Sequence, residues 1–242
     1  MTIDRLPELK RPHAKRLREI YRSAGWPSQD VVEIELLAAG MLKRLRDAGG
    51  LECVRVTDAG IQYLAATAQV NRSALSAHQA LVNAVAQVMQ RDGRLVWTAL
   101  ALRAWIPPSG DTKGYWKMCQ PDVYSIRNSS KQSFLEPIVH EIKVSRADLM
   151  GDLKLPDKRR AYLDVGGQCW YVLGRTAKGK PIAEPEEVPS ECGVMLQSGN
   201  RFEVLRGAPK REMLELPFGV WMALAKATPL QAPAEQVQAH LS

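Results

Sequence analysis

The apolar positions of this chain change period several times, and those changes divide it. Between residues 8 and 24 they recur at helical spacing, with Leu9, Ala14, Leu17, Ile20 and Tyr21 on one stripe until Gly25-Trp26-Pro27 stops it. Ser28 then caps a second helix through Ala39, which turns Val31, Val32, Ile34 and Leu37 toward a core. Gly40 separates this from MLKRLRDAGG, read as a third helix carrying Lys43, Arg44 and Arg46. A short extended run, LECVRV, follows, and Thr57 caps a helix starting DAGIQYL. The polar stretch Ala68 to Ser76 reads as a linker. The next helix runs to Arg91, with Leu75, Ala80, Leu81, Ala84, Val85, Val88 and Met89 on its apolar side and Asp92-Gly93 as its end.

Shorter, strand-like periods then take over. Leu95 to Ile106 reads as one apolar strand, and Pro107 to Lys117 as a loop with Tyr115 and Trp116 beside Lys113 and Lys117. Such a loop suits base stacking and phosphate contact, or it tucks against the sheet. Two apolar runs flank the polar turn Arg127 to Ser133 and predict an antiparallel hairpin. Ser145 and Asp148 have capping-box spacing for a helix that Pro156 breaks. A second helical segment, Asp157 to Asp164, projects Lys158 and Tyr162 on one face at i and i+4. QCWYVLG reads as a strand, Lys178 to Pro189 as a polar loop, and CGVMLQ with RFEVLR as a hairpin. A closing helix from Glu212 to Ala227 is expected to pack Leu216, Phe218, Trp221, Met222 and Leu224 on the sheet, before a loose tail. The pattern predicts an α/β fold, a mixed central sheet flanked by helices, preceded by a small helical module. Its bounds are 1–70 for the module, 73–228 for the α/β domain and 229–242 for the tail.

Composition narrows the class. The 242 residues are 45% hydrophobic and 24% charged, as in a globular protein, and no run of about 18 apolar residues is present to span a bilayer. The opening MTIDRLPELKRPHAKRL lacks the apolar core of a secretory signal, so a cytoplasmic location is expected. Cys53, Cys119, Cys169 and Cys192 form no C-x-x-C pair and read as reduced core residues rather than zinc ligands or disulfides. The net charge of +7 gathers in two places. One is Lys10, Arg11, Lys15, Arg16, Arg18 and Arg22 against a single Glu19, and the other is Lys154, Lys158, Arg159 and Arg160. Both patches suit a phosphate backbone; such charges also solvate helix faces, a reading that fits the N-terminal group equally well.

The chemistry gathers on the hairpin. Pro121-Asp122 opens its first run and Glu141-Ile142-Lys143 lies in its second. Strand alternation puts Glu141 and Lys143 on one face, and antiparallel pairing brings Asp122 near Glu141. Two carboxylates and an ammonium suit a hard cation and a polarised phosphate. Magnesium takes one or two carboxylates and completes its octahedron with water and phosphate oxygens, so Asp122 and Glu141 are the candidate ligands. A surface E-x-K and a P-D turn are also ordinary features of solvated strands.

The order P-D, then E-I-K, resembles the PD-(D/E)xK nuclease superfamily. The longer run EIKVSRADLMGDLKLPDKRRAYLDVGGQCWYVL with EEVPSECGVMLQ is similar to the compact domains of the MmcB-related DNA-repair group, over roughly residues 75 to 210. The resemblance implies a restriction-endonuclease-like fold and Mg-dependent hydrolysis of DNA phosphodiesters, with Mn as substitute. It implies Asp122, Glu141 and the Ile142 carbonyl as metal ligands, Lys143 as the residue that positions water, and Lys154, Lys158 and Tyr162 as DNA-facing. Members of the superfamily often carry a further acid on the helix before the first strand, where this chain has only His78 or Gln79. That departure keeps open a DNA-binding or regulatory protein whose nuclease-like domain has lost turnover. The N-terminal order of elements, ending Val56 to Leu64, looks like a winged helix-turn-helix. The likeness implies Lys43, Arg44 and Arg46 on a recognition helix in DNA. Winged helices also serve as dimerisation modules, which leaves a homodimer open.

Overall fold

The structure is a computed structural model that describes residues 9–46, 49–110, 113–199, 201–213 and 215–231. The chain divides into two compact units, Met1–Ser73 and Ala74–Ser242. Unit one contains α1 (Arg11–Arg22), α2 (Val31–Ala38), the strands β1 (Leu42–Arg46) and β2 (Glu52–Val56), and the start of α3 (Asp58–Arg91). Its core is Leu17, Ile20, Leu36, Met41, Leu42 and Val54.

Several expectations for this unit are corrected. MLKRLR is not a third helix but a strand, because Leu42 to Arg46 pairs antiparallel with Val56 to Glu52. Asp30, not Ser28, caps α2 by accepting the Glu33 N–H. Val31 and Ile34 are exposed, while Glu33 points inward and accepts from Arg16 at 3.0 Å and Ser28 at 2.7 Å. Thr57 does cap α3, its hydroxyl accepting the Gly60 N–H at 3.2 Å. Ala68 to Ser76 is no linker, since α3 runs through it as exposed helix. The stretch holds no Gly or Pro to break a helix.

Unit two is α/β. Its six-stranded mixed sheet has the order β10-β9-β8-β7-β6-β3. The strands are β3 (Arg94–Thr98), β6 (Val123–Arg127), β7 (Ile138–Lys143), β8 (Gln168–Leu173), β9 (Gly193–Ser198) and β10 (Arg201–Arg206). β7, β8 and β9 are parallel, and the remaining pairs are antiparallel. Parallel neighbours need a crossover, which α4 (Arg146–Leu153) and α5 (Pro156–Val165) supply between β7 and β8. Leu81, Val82, Val85, Ala86 and Met89 of α3 pack on Val96, Val123, Ile142 and Val172 on one face. The other face carries the larger core, including Tyr124, Val139, Leu149, Tyr162 and Tyr171.

Leu95 to Ile106 is not one strand. Ala99 takes a positive φ of 50°, donates its N–H to the Asp122 carbonyl at 3.1 Å, and accepts from the Gln120 side chain at 2.6 Å. Past that break, β4 (Leu102–Ile106) leaves the sheet and pairs with β5 (Tyr115–Cys119) as a separate ribbon. Residues 115–117 are thus strand rather than loop. The closing helix α6 is shorter than expected, Phe218–Lys226. Leu216, Val220 and Leu224 are buried, but Phe218, Trp221 and Met222 are exposed. Leu230 is pinned rather than loose, donating its N–H to Val96 and accepting from Gln90. The expectation for residues 232–242 lies outside the described residues.

Candidate active site

Ligand sites in open α/β sheets lie beyond the carboxyl ends of the parallel strands. Here that end brings Glu141 and Lys143 of β7 and Tyr171 of β8 together with Asp122, which precedes β6. The hairpin register Val123↔His140 continues by one pair to set Asp122 opposite Glu141. Continued by two pairs, it sets Ile142 opposite Pro121, which has no N–H to donate to the Ile142 carbonyl. The ladder ends there, and the Asp122 carboxylate, in place of a ladder carbonyl, accepts the Ile142 N–H at 2.7 Å. Strand geometry sends the Ile142 carbonyl to the same side, past the last ladder pair. His78, on α3, reaches the other Asp122 oxygen at 3.3 Å.

Glu141 is nearly sealed from solvent and fully engaged. Its Oε1 accepts from Lys143 at 2.8 Å and Lys158 at 2.6 Å, and its Oε2 accepts from the Tyr162 hydroxyl at 2.7 Å. Lys158 and Tyr162 are presented together because α5 spaces them by four residues. Asp152 of α4 completes the group, accepting from Lys158 at 2.5 Å and from the Tyr171 hydroxyl at 2.7 Å, with Lys143 at 3.4 Å. Asp148, one turn earlier and more exposed, lies 3.4 Å from Lys143. The helix is held there by its cap, Ser145 accepting the Asp148 N–H at 3.2 Å.

The charges do not cancel. Asp122, Glu141 and Asp152 face two ammonium groups, Lys143 and Lys158, a formal balance of −1 before His78 and the more exposed Asp148 are counted. Glu141 and Asp152 hold both lysines, so Asp122 is the one of the three without a lysine partner among the described residues. Burial, then the Glu141 charge, raise its pKa above the ordinary aspartate value. Burial pushes Asp152 the same way, but the Lys158 and Tyr171 hydrogen bonds outweigh it and leave its pKa lowered. Lys143 is raised: burial opposes its charge, but Glu141, Asp152 and Asp148 more than compensate. Burial and Glu141 raise Tyr162 as well, so it remains a donor.

Of the residues singled out in the sequence, Asp122, Glu141, Lys143, Lys158 and Tyr162 converge. Lys154 is exposed and lines an adjoining cleft of about 420 Å³ with Lys117, Met118, Gln120, Lys158 and Tyr162. Lys43, Arg44 and Arg46 lie in unit one, exposed on β1. Sequence reasoning missed Asp152 and Tyr171. The only signal for Asp152 was its i+4 spacing from Asp148 on the capped helix. A second cavity, about 440 Å³ around Pro137 and Gln168, lies at the opposite strand ends, away from the carboxylates.

Among the described residues no three His, Cys, Asp or Glu side chains form a ready metal cluster. The donor set nonetheless fits a hard cation that needs few protein ligands, since two carboxylates and a strand-edge carbonyl carry excess negative charge. No protein-family profile and no curated protein matches the chain. Among solved structures it is similar to a protein of unknown function from Silicibacter pomeroyi, at 19% identity and a TM-score of 0.38, over 59% of this chain and 79% of that one. Among the described residues no helix is long and apolar enough to cross a membrane.

Proposed function

We propose that unit two is a Mg-dependent deoxyribonuclease of the PD-(D/E)xK kind, acting in DNA repair or defence. The observation that carries this reading is Asp122, a partly buried carboxylate without a lysine partner, next to Glu141 and a lysine-lined cleft. Asp122, Glu141 and the Ile142 carbonyl would hold the cation, with manganese as substitute. Bound there, a divalent ion supplies charge neutralisation at the phosphoryl oxygens and a water of lowered pKa. Lys143 stays protonated beside Glu141 and orients the attacking water and the phosphate through its N–H donors. Water oxygen bonds to phosphorus and releases a proton to solvent, the bond to the leaving deoxyribose oxygen breaks, and that oxygen takes up a proton from solvent. Tyr162 fixes the Glu141 carboxylate through Oε2, and Lys154 and Lys158 receive the phosphate backbone.

Unit one reads as a winged helix-turn-helix in which β1 and β2 form the wing. Lys43, Arg44 and Arg46 then contact backbone phosphates from a strand rather than bases from a helix. A second reading has one observation in its favour. α3 offers His78, not an acid, to Asp122, and Lys158 already holds Glu141 Oε1. A DNA-binding protein without turnover would look the same.

The test is a time course on plasmid and linear duplex with magnesium, manganese or calcium, beside Lys143→Met and Asp122→Asn. Cleavage by the wild type, lowered at least about 10²-fold in Lys143→Met with DNA affinity intact, supports the nuclease. DNA binding with no cleavage above the variant background supports the second reading.

A further inference from the structure

We propose that the outer face of the β4–β5 ribbon is a base-stacking platform that selects DNA with unpaired bases and leads it into the cleft beside Glu141. The DNA substrate rests on the reading above, while the platform rests on the ribbon itself. Directly opposed residues of an antiparallel pair share a face, so Arg103 with Met118 and Trp105 with Trp116 form one surface. Leu102, Ala104, Ile106 and Cys119 lie buried on the opposite face and anchor the ribbon to the core. The outward face is then expected to be polar. Instead Trp105, Trp116 and Met118 stand 39%, 52% and 63% exposed. The two indoles meet edge to face at 5.2 Å between centroids, and the Arg103 guanidinium lies 4.8 Å from the Trp116 ring centre.

The surface is held in place before any ligand arrives. Trp105 donates its backbone N–H to Asp164 at 2.7 Å, and Tyr115 donates its hydroxyl to Asp157 at 2.6 Å, both on α5. Gly114 lets the Trp105 ring rest on bare backbone, where a Cβ would sit 2.5 Å from the indole. Charge selects the partner: Arg103, Lys113, Lys117 and Lys154 surround the platform and cleft. Asp157, the acid that lines the cleft, is already held by Tyr115 and Arg160. Exposed aromatics among cations match a strand that presents bases and phosphates together. Paired bases hide their faces in the duplex stack, so the indoles reach them only where pairing is lost. Met118 belongs to both platform and cleft, and Lys158 across the cleft is 2.6 Å from Glu141.

The test compares the full chain binding three labelled ligands by fluorescence anisotropy in EDTA, where turnover cannot intrude. They are a mixed-sequence single strand, an abasic strand of equal length, and the duplex. The wild type is expected to bind the base-bearing strand about tenfold or more tighter than the abasic one, because each stacked base contributes that order of affinity. Trp105→Ala/Trp116→Ala should bind both alike, with duplex affinity within about twofold of wild type, and Trp116→Phe should restore most of the preference. A wild type that does not distinguish bases from abasic backbone overturns the proposal, and that arm needs no variant to fold. So does equal loss on single strand and duplex. A protein that shows the base preference yet cleaves nothing in magnesium keeps the platform and loses the nuclease.

Discussion

Lys158→Met tests the polar network most directly, because one ammonium bridges two buried carboxylates. Lys158 Nζ reaches Glu141 Oε1 at 2.6 Å and Asp152 Oδ1 at 2.5 Å. Methionine keeps most of the apolar stem and removes only the charge. Breaking a buried pair by removing one partner costs about 3 to 5 kcal/mol. Two features lower that figure here. The Lys158 side chain is 28% exposed, and Lys143 remains 2.8 Å from Glu141 and 3.4 Å from Asp152. We expect a loss of about 2 to 3 kcal/mol, or roughly 4 to 12 °C in Tm for a domain of this size.

The same variant should bind a divalent cation more tightly. Removing one ammonium takes the formal balance of these groups from −1 to −2 and leaves Glu141 Oε1 with Lys143 as its one lysine donor. A ligand at about 100 times its Kd stabilises by about 2.7 kcal/mol, so saturating manganese should recover much of the lost stability. Urea and thermal denaturation followed by tryptophan fluorescence report mainly on unit two, which holds every one of the six tryptophans except Trp26. Stability unchanged within about 0.5 kcal/mol, or a manganese-induced shift no larger than in the wild type, would refute the reasoning.

Three further outcomes follow from single groups. Tyr162→Phe removes the hydroxyl that donates to Glu141 Oε2 at 2.7 Å and should cost about 1.5 to 3 kcal/mol in urea denaturation. Asp122→Asn should abolish the manganese-induced rise in Tm while leaving the metal-free protein at least as stable at neutral pH. The reason is that Asp122 has a raised pKa, so its ionised form is disfavoured there, and an amide removes that penalty. His140 is fully buried, neither ring nitrogen has a hydrogen-bond partner among the described residues, and burial pushes its pKa from 6.5 down to about 3. Its contribution is present above pH 6.5 and is lost as pH falls toward 3, by up to roughly 5 kcal/mol, so His140→Leu should flatten that arm of a stability–pH curve.

What the sequence disclosed was decided by how local the controlling interactions are. The E-I-K strand was legible from alternation, and the α5 pair from i,i+4 spacing, because one element fixes each. MLKRLR was misread because leucines three apart satisfy a helix as well as a strand, and pairing with β2 settled the matter. The break at Ala99 rests on contacts from Asp122 and Gln120, more than twenty residues away in sequence. Asp152 was invisible for the same reason, its partners Lys143, Lys158 and Tyr171 coming from three other elements. Polarity misled at Ala68 to Ser76, where an exposed helix needs no apolar stripe.

The register of β7 joins the fold to the site. Even positions, His140 and Ile142, face the α3 side, while Val139, Glu141 and Lys143 face α4 and α5. A slip by one residue would drive Glu141 and Lys143 among Val82, Val85 and Val123, at a cost far above the stability of a domain. Asp122 guards that register where the ladder runs out, because its carboxylate accepts the Ile142 N–H in place of a ladder carbonyl. The same carboxylate is the one left without a lysine. Asparagine keeps the hydrogen bond to Ile142 and removes the charge, whereas alanine removes both. Asp122→Ala should therefore lose metal binding and stability together, by about 1 to 3 kcal/mol for the orphaned N–H, and Asp122→Asn the metal alone.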